Sequence, residues 1–129
     1  MIEPGVITVV KQLEKADCAV ACLAMMLGVS YSDVWWATSK RVRAGAGMTD
    51  YQIMHTAKKL GCVVRWRNAP PEDDEFGMLY LTKPKTAHVA LHLRGGTVID
   101  PADGLIYTDV KTFHTIEGWK VSGFYWRES

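Results

Sequence analysis

The spacing of hydrophobic and polar positions along the chain changes near Gly61. Before that residue, apolar side chains recur at helical intervals, most clearly in the segment that ends at Gly28. After Gly61, short runs rich in β-branched and aromatic residues are separated by glycine, proline and acidic stretches, which is typical of strands and turns. Helices followed by antiparallel strands predict an α+β fold.

Three helices are predicted in the first half of the chain. The first opens at Cys18, with Asp17 as its N-cap and Gly28 as its left-handed stop, and it presents one apolar face. Unpaired N–H groups and the positive end of the helix dipole stabilise a thiolate at such a position, so Cys18 is a candidate nucleophile. The alternative interpretation is that Cys18 is a small apolar residue buried in the core, as free cysteines usually are. The predicted helices cover residues 18–27, about 31–42 and 50–60.

The second half of the chain is predicted to form an antiparallel sheet. Its apolar runs are short and lie between turn-forming residues, which favours strands over helices. The predicted strands are Cys62–Arg67, Met78–Leu81, His88–Leu93, Thr97–Asp100 and Trp119–Trp126, with an acidic loop at Asn68–Gly77 and a helical turn at Asp109–His114.

The loop Arg94-Gly95-Gly96 permits two hairpin registers, and a one-residue slip exchanges every side chain between the faces. A two-residue turn places Asp100 among the leucines of the apolar side. A three-residue loop with its last glycine in the left-handed region pairs Leu93 with Thr97 and removes the carboxylate from that side. The apolar pattern favours this second register, in which His88 and Asp100 are diagonal neighbours with Cβ atoms about 7–8 Å apart. The predicted apolar face carries Val89, Leu91, Leu93 and Ile99, and the predicted polar face carries His88, Ala90, His92, Val98 and Asp100.

Cys18, His88 and Asp100 together have the composition of a cysteine–histidine catalytic site. An imidazole can take the thiol proton, and a carboxylate on its other nitrogen fixes the tautomer and orientation of the ring. The backbone N–H of Cys18 and the side-chain amide of Gln12 are candidate donors to an oxyanion.

These motifs resemble the papain-like cysteine peptidases that process bacteriocin precursors and cut double-glycine leader peptides. The resemblance rests on QLEKADCAVACLAMMLG, AHVALHL and VIDPADG, and it covers most of the chain. It implies a single papain-like domain over residues 1–129, helical over about 12–60 and β-rich over about 62–126. It makes Gln12 the oxyanion donor, Cys18 the nucleophile, His88 the general base and acid, and Asp100 the orienting carboxylate. Ala19 departs from the family, which usually has glycine there.

Other residues leave alternatives open at this point. His92 competes with His88 for the catalytic role, and Asp103 competes with Asp100 if the tight turn forms. Cys22 lies one helical turn from Cys18, so a zinc site with the histidines is conceivable, although two cysteines on an apolar helix more often pack in a core. Trp35, Trp36 and Trp119 are the tryptophans expected near a cleft.

Composition narrows the class of protein. The net charge of +1, without a basic run, gives no footprint for nucleic acid or an anionic membrane. Three cysteines cannot all pair, which argues against a disulfide framework, and the chain has no long apolar segment, so we expect a cytoplasmic protein. The expected partner is a peptide or protein substrate, with no metal or organic cofactor and with the oligomeric state open. The same residues also suit deamidation, transamidation or isopeptide cleavage, or an idle peptide-binding module.

Overall fold

The structure is a computed structural model, and it describes residues 18–40 and 48–128. Within these two ranges, three helices precede a six-stranded sheet, and a further helix lies between the last two strands. The predicted α+β order is confirmed. The helices are α1 (Cys18–Leu27), α2 (Tyr31–Ala37), α3 (Asp50–Lys59) and α4 (Val110–Glu117); the strands are β1 (Val63–Arg67), β2 (Gly77–Lys83), β3 (Thr86–His92), β4 (Val98–Ile99), β5 (Ile106–Tyr107) and β6 (Lys120–Glu128).

Helix α1 is buried on all sides. It starts and ends as predicted, at Cys18 and before Gly28, whose φ of 71° is in the left-handed region. The expectation of one apolar face was too narrow, because every residue from Ala19 to Leu27 is buried. A helix that is apolar all round lies inside a core, so α1 is the central helix of the fold. The predicted cap Asp17 lies outside the described residues.

Helix α2 is shorter than its pattern predicted. It is capped by Ser30 and ends at Ala37, rather than running to about Val42. Thr38 has an extended backbone, and its hydroxyl donates to the carbonyl oxygen of Trp35 at 2.6 Å. A side chain that binds the last turn in this way competes with continuation of the helix.

Helix α3 matches its predicted range closely, whereas α4 is longer than predicted. Thr49 and Gln52 form a reciprocal capping box, which fixes the start of α3 at Asp50. The segment expected to make only a helical turn forms two turns, α4, capped by Asp109 and ended by Gly118 at a φ of 76°. This end matters for the site, because β6 begins two residues later.

Neighbouring strands of the sheet are all antiparallel, in the order β1-β6-β2-β3-β4-β5. The last strand in sequence, β6, therefore lies between the first two. The three-residue hairpin register is confirmed, because Leu91 pairs with Ile99 and the N–H of Leu93 donates to the carbonyl oxygen of Thr97 at 2.8 Å. His88 and Asp100 consequently share one face of the sheet.

The two faces of the sheet carry separate cores. On the helix side, Val89, Leu91 and Ile99 pack with α1 as predicted. The opposite face, predicted to be polar, is instead a second apolar core that packs with α4, since the elements after the hairpin cover it. Its buried members are Leu79, Leu81, Ala90, Val98, Tyr107, Phe113 and Phe124.

None of the helices in the described ranges is by itself both long and apolar enough to cross a bilayer. Helices α1 and α2 together meet this criterion of length and composition, but the chain bends by 117° between them.

Candidate functional site

Cys18 is the first residue of α1, and it is partly exposed whereas the other residues of that helix are buried. Its thiol is free and partly exposed. The residues that follow anchor the helix in the core, so the position of this first turn is fixed by packing. The sulfur therefore lies where backbone N–H groups and the helix dipole favour a negative charge.

His88 and Asp100 form a hydrogen-bonded pair across the hairpin. Nε2 of His88 donates to Oδ1 of Asp100 at 2.7 Å. The same oxygen accepts the N–H of Ala102 at 3.0 Å, and the backbone of Asp100 is tied to Leu105 and Gly104 at 3.0 and 2.8 Å. Asp100 is 4% exposed, so the carboxylate is held rigidly in a turn that continues from β4.

The Cys18 thiol and the Asp100 carboxylate both contact the imidazole of His88. Burial lowers the pKa of His88, but hydrogen bonds with Asp100 and Cys18 and their negative charges outweigh burial and raise that pKa to about 9. Because Asp100 engages Nε2, Nδ1 is the ring nitrogen left for the thiol. The structure thus brings together three of the four predicted site residues. The fourth, Gln12, lies outside the described residues.

His92, the alternative candidate for the catalytic histidine, contacts the loop before β2 and the ring of Phe124. Its Nδ1–H donates to the carbonyl oxygen of Glu75 at 2.7 Å, its ring meets the edge of Phe124, and it is 1% exposed. Burial lowers the pKa of His92, against the opposing effects of Glu75 and Asp73. A neutral ring in this position fastens the acidic loop to the sheet.

Cys22 follows Cys18 by one helical turn but is fully buried. Burial, followed by the charges of Cys18 and Asp100, raises the pKa of the Cys22 thiol well above its usual value. Cys22 therefore stays protonated and packs in the core, as its apolar surroundings predict.

Three carboxylates are grouped behind the histidine. Oxygens of Asp100, Asp103 and Glu117 lie within 4.8 Å of one another, and across the described ranges this is the group close enough to hold an ion. It contains none of the thiols or imidazoles considered for zinc. Asp100 is engaged by His88, and Glu117 accepts a hydrogen bond from the Tyr107 hydroxyl. The rival carboxylate Asp103 caps its own turn through the N–H of Leu105, at 2.9 Å.

Trp119, one of the tryptophans expected near a cleft, lies against the imidazole of His88. The two ring centroids are 5.3 Å apart, with an angle of 29° between the planes. Nζ of Lys83 lies 4.2 Å from the centroid of the indole ring. Sequence reasoning missed Lys83, since nothing in its spacing links it to His88 or Trp119.

Helices packed on an antiparallel sheet, with the thiol at the start of the central helix, give the chain a papain-like α+β fold. Peptidase domains of known structure share this fold, and two of them are described here. The peptidase domain of Streptococcus ComA, a bi-functional ABC transporter involved in quorum sensing, aligns with a TM-score of 0.61 and 18% identity over 92% of this chain and 95% of that one. The peptidase domain of Streptococcus mutans ComA aligns with a TM-score of 0.63 and 18% identity over 94% and 98%. No protein-family model matches the sequence, and no curated protein matches it either.

Proposed function

We propose that this protein is a cysteine peptidase that cleaves a peptide bond through an acyl-enzyme. The observation that carries the proposal is the imidazole of His88, which contacts the Cys18 thiol and donates to the Asp100 carboxylate. With a pKa near 9, the ring is protonated at neutral pH, and this is the form that pairs with a thiolate. The proposed resting site is a protonated imidazole that lies between the Cys18 sulfur and the Asp100 carboxylate.

The reaction follows from these positions. The Cys18 thiolate attacks the carbonyl carbon of the scissile bond, and the carbonyl oxygen becomes an oxyanion. The imidazolium of His88 gives its proton to the leaving amine as the carbon–nitrogen bond breaks, which leaves a thioester. The neutral ring then removes a proton from water, the hydroxide attacks the thioester, and the sulfur leaves as thiolate. Asp100 holds the ring orientation through both steps.

The oxyanion needs donors aimed at the charge that develops in the transition state. The backbone N–H of Cys18, at the open end of α1, is one such group. The amide of Gln12 is the proposed second donor, on the strength of the family resemblance alone, because the described residues begin at Cys18. Loss of one oxyanion donor typically lowers the rate by ~10²–10³.

The proposed substrate is a peptide cut after a glycine pair. Support comes from the motif resemblance and from a fold shared with peptidase domains of a bi-functional ABC transporter. We place the activity in the cytoplasm, where a free thiol stays reduced. The three cysteines of the described residues are all free.

Selective alkylation tests whether Cys18 is the nucleophile. Iodoacetamide at pH 6 should modify Cys18 and spare Cys22 and Cys62, because only the first combines exposure with an adjacent base. Peptide mapping by mass spectrometry reads the site. Equal, slow modification of all three thiols contradicts the proposal.

Cleavage tests the reaction itself. Peptides that carry a Gly-Gly pair between a helical leader and a cargo segment should yield two fragments by intact mass. Cys18→Ala should abolish cleavage, whereas the matched variant Cys22→Ala, one helical turn away, should keep it. A mass change of about one unit without fragments identifies a deamidase using the same residues.

A further inference from the structure

Lys83 is the last residue of β2, and its side chain lies across the short connection between α4 and β6. Its Nζ is 4.2 Å from the centroid of the Trp119 indole, and its Cε is 3.7 Å from the position that a Cβ on Gly118 would occupy. An ammonium at this distance is attracted by the indole ring. The position of the charge is therefore defined, although Lys83 is exposed.

The Lys83 ammonium has no carboxylate partner within the described part of the chain. None of the ion pairs found there includes it. The two carboxylates grouped with Asp100 are bound elsewhere, Asp103 by the backbone of its own turn and Glu117 by the Tyr107 hydroxyl. An ammonium has three N–H donors and the indole occupies one side of it, so donors remain for a carboxylate from another molecule.

The segment of a substrate that leaves after the cut lies close to this charge. In the proposed reaction His88 gives its proton to the amine of the residue after the cut, so that amine lies against the imidazole. The indole of Trp119 stacks on the same imidazole, with ring centroids 5.3 Å apart, and Lys83 contacts that indole. An extended chain covers ~3.3–3.6 Å per residue, so a side chain of the second or third residue after the cut can reach the ammonium.

We propose that Lys83 selects peptide substrates that carry an acidic side chain within the first three residues after the cut. The inference rests on the proposed function, because it assigns a substrate preference to the same site. A carboxylate in that place accepts charge-assisted hydrogen bonds from the ammonium. Contact with the indole already restricts the lysine, so binding costs less side-chain entropy than it would at a freely moving lysine.

The charges at the two ends of β2 favour the same substrates. Lys85 and Lys120 are exposed at the end that carries Lys83, since Lys85 lies in the turn to β3 and Lys120 pairs with Thr82. The acidic residues 72–75 precede β2, and the strand separates them from Lys83 by ~20 Å, or about two Debye lengths at 0.1 M salt. An acidic segment is therefore attracted to the lysine end of the strand.

A pair of matched peptides tests the preference. Both carry the same leader and Gly-Gly pair, and they differ only in the second and third residues after the cut, which are Asp-Glu in one and Asn-Gln in the other. The wild type should cleave the acidic peptide with a kcat/KM about two- to fivefold higher at low salt, as expected for one exposed ion pair, and about 0.5 M NaCl should remove most of the difference. Lys83→Gln should give both peptides the same kcat/KM, and Lys83→Glu should reverse their order.

Two other exposed lysines provide matched controls. Lys85→Gln removes a charge from the adjacent turn, and Lys59→Gln removes one from the last turn of α3. Both variants should keep the wild-type ratio between the two peptides. Equal cleavage of the two peptides by the wild type, or a loss of the ratio in Lys85→Gln as large as in Lys83→Gln, overturns the proposal.

A binding measurement separates this inference from the proposed function. In Cys18→Ala, which cannot form an acyl-enzyme, the indole N–H resonance of Trp119 reports the binding of each peptide by NMR. The acidic peptide should bind about two- to fivefold more tightly, and adding Lys83→Gln should remove the difference. If peptide cleavage does not depend on Cys18, the proposed function fails, but tighter binding of the acidic peptide through Lys83 still supports the preference. If cleavage depends on Cys18 and neither cleavage nor binding favours the acidic peptide, this inference alone fails.

Discussion

The two histidines of β3 lie on the same face of the strand, His88 near its start and His92 at its end, and they differ in almost every other property. His88 donates to a buried carboxylate, contacts a thiol, and has its pKa raised to about 9. His92 donates to the backbone carbonyl oxygen of Glu75 and has its pKa lowered. Both rings are desolvated, so burial alone does not separate them.

The charge of the partner separates them. A carboxylate offsets the cost of burying an imidazolium, and a neutral carbonyl oxygen does not, so the same residue type becomes a cation at one end of β3 and a neutral donor at the other. The end occupied by His88 lies next to the exposed start of α1, while the end occupied by His92 is sealed by Phe124 and the acidic loop. The position along β3 thus gives His92 a structural contact and gives His88 the contacts on which its proposed acid–base role rests.

The largest expected effect comes from replacing each ring in turn by glutamine. His88→Gln should lower kcat/KM on a Gly-Gly peptide by about 10²–10⁴-fold, the usual contribution of a general acid–base group. His92→Gln should keep activity of the wild-type order and lose about 1 kcal/mol of unfolding free energy, because a flexible amide replaces a fixed N–H donor to Glu75.

Alkylation of Cys18 at pH 6 provides a second readout that needs no peptide substrate. It should slow in His88→Gln and stay at the wild-type rate in His92→Gln. Circular dichroism checks that both variants are folded. Similar losses of activity in the two variants would contradict the assignment of different roles to His88 and His92.

The next effect is a pH dependence of stability with opposite signs for the two rings. The folded pKa of His88 lies above its unfolded value of 6.5, so its stabilisation is complete below pH 6.5 and is lost as the pH rises through 9. The folded pKa of His92 is depressed, so the unfolded ring takes up a proton first, and stability falls as the pH drops below 6.5. Together the two rings place the stability maximum near pH 6.5.

Urea unfolding between pH 5 and 9.5 measures both limbs. His88→Gln should flatten the alkaline limb, which amounts to about 3 kcal/mol at most for the shift between 6.5 and 9. His92→Gln should reduce the slope of the acid limb and leave the alkaline one intact. If the stability of His88→Gln still falls at alkaline pH, another group causes that fall. The difference between the two histidines is then not electrostatic.

The local sequence pattern was sufficient to predict the parts of the site that depend on helix ends and on the alternation of side chains along a strand. Cys18 and Gly28 bound α1 as expected, and the apolar alternation around Arg94-Gly95-Gly96 selected the register that makes His88 and Asp100 neighbours. Both inferences use contacts between residues close in sequence. They need no knowledge of the strand order.

The features that the sequence analysis predicted wrongly or missed depend on contacts between segments that are distant in sequence. The face carrying His88 is predicted to be polar from the hairpin alone, but Phe113 of α4 packs on it beside Phe124 of the inserted strand β6. The contacts of Trp119 with His88 and Lys83 follow from the same insertion, which brings the end of the chain beside β2. No spacing rule reports such an order of strands.

The smallest effect is also the most direct test of the partner charge, because Asp100→Asn gives His88 a neutral acceptor of the kind that His92 already has. The amide oxygen can still accept from Nε2 of His88 and from the N–H of Ala102, so the turn should be retained. A hydrogen bond to a charged group contributes ~1.5–3 kcal/mol and one to a neutral group ~0.5–1.5 kcal/mol, so kcat/KM should fall by about tenfold and the pKa of His88 should move toward that of His92. An NMR titration of the imidazole protons measures both rings in one sample, with His92 as the internal control. If the pKa of His88 holds near 9 in a folded Asp100→Asn, the carboxylate is not what distinguishes the two ends of β3.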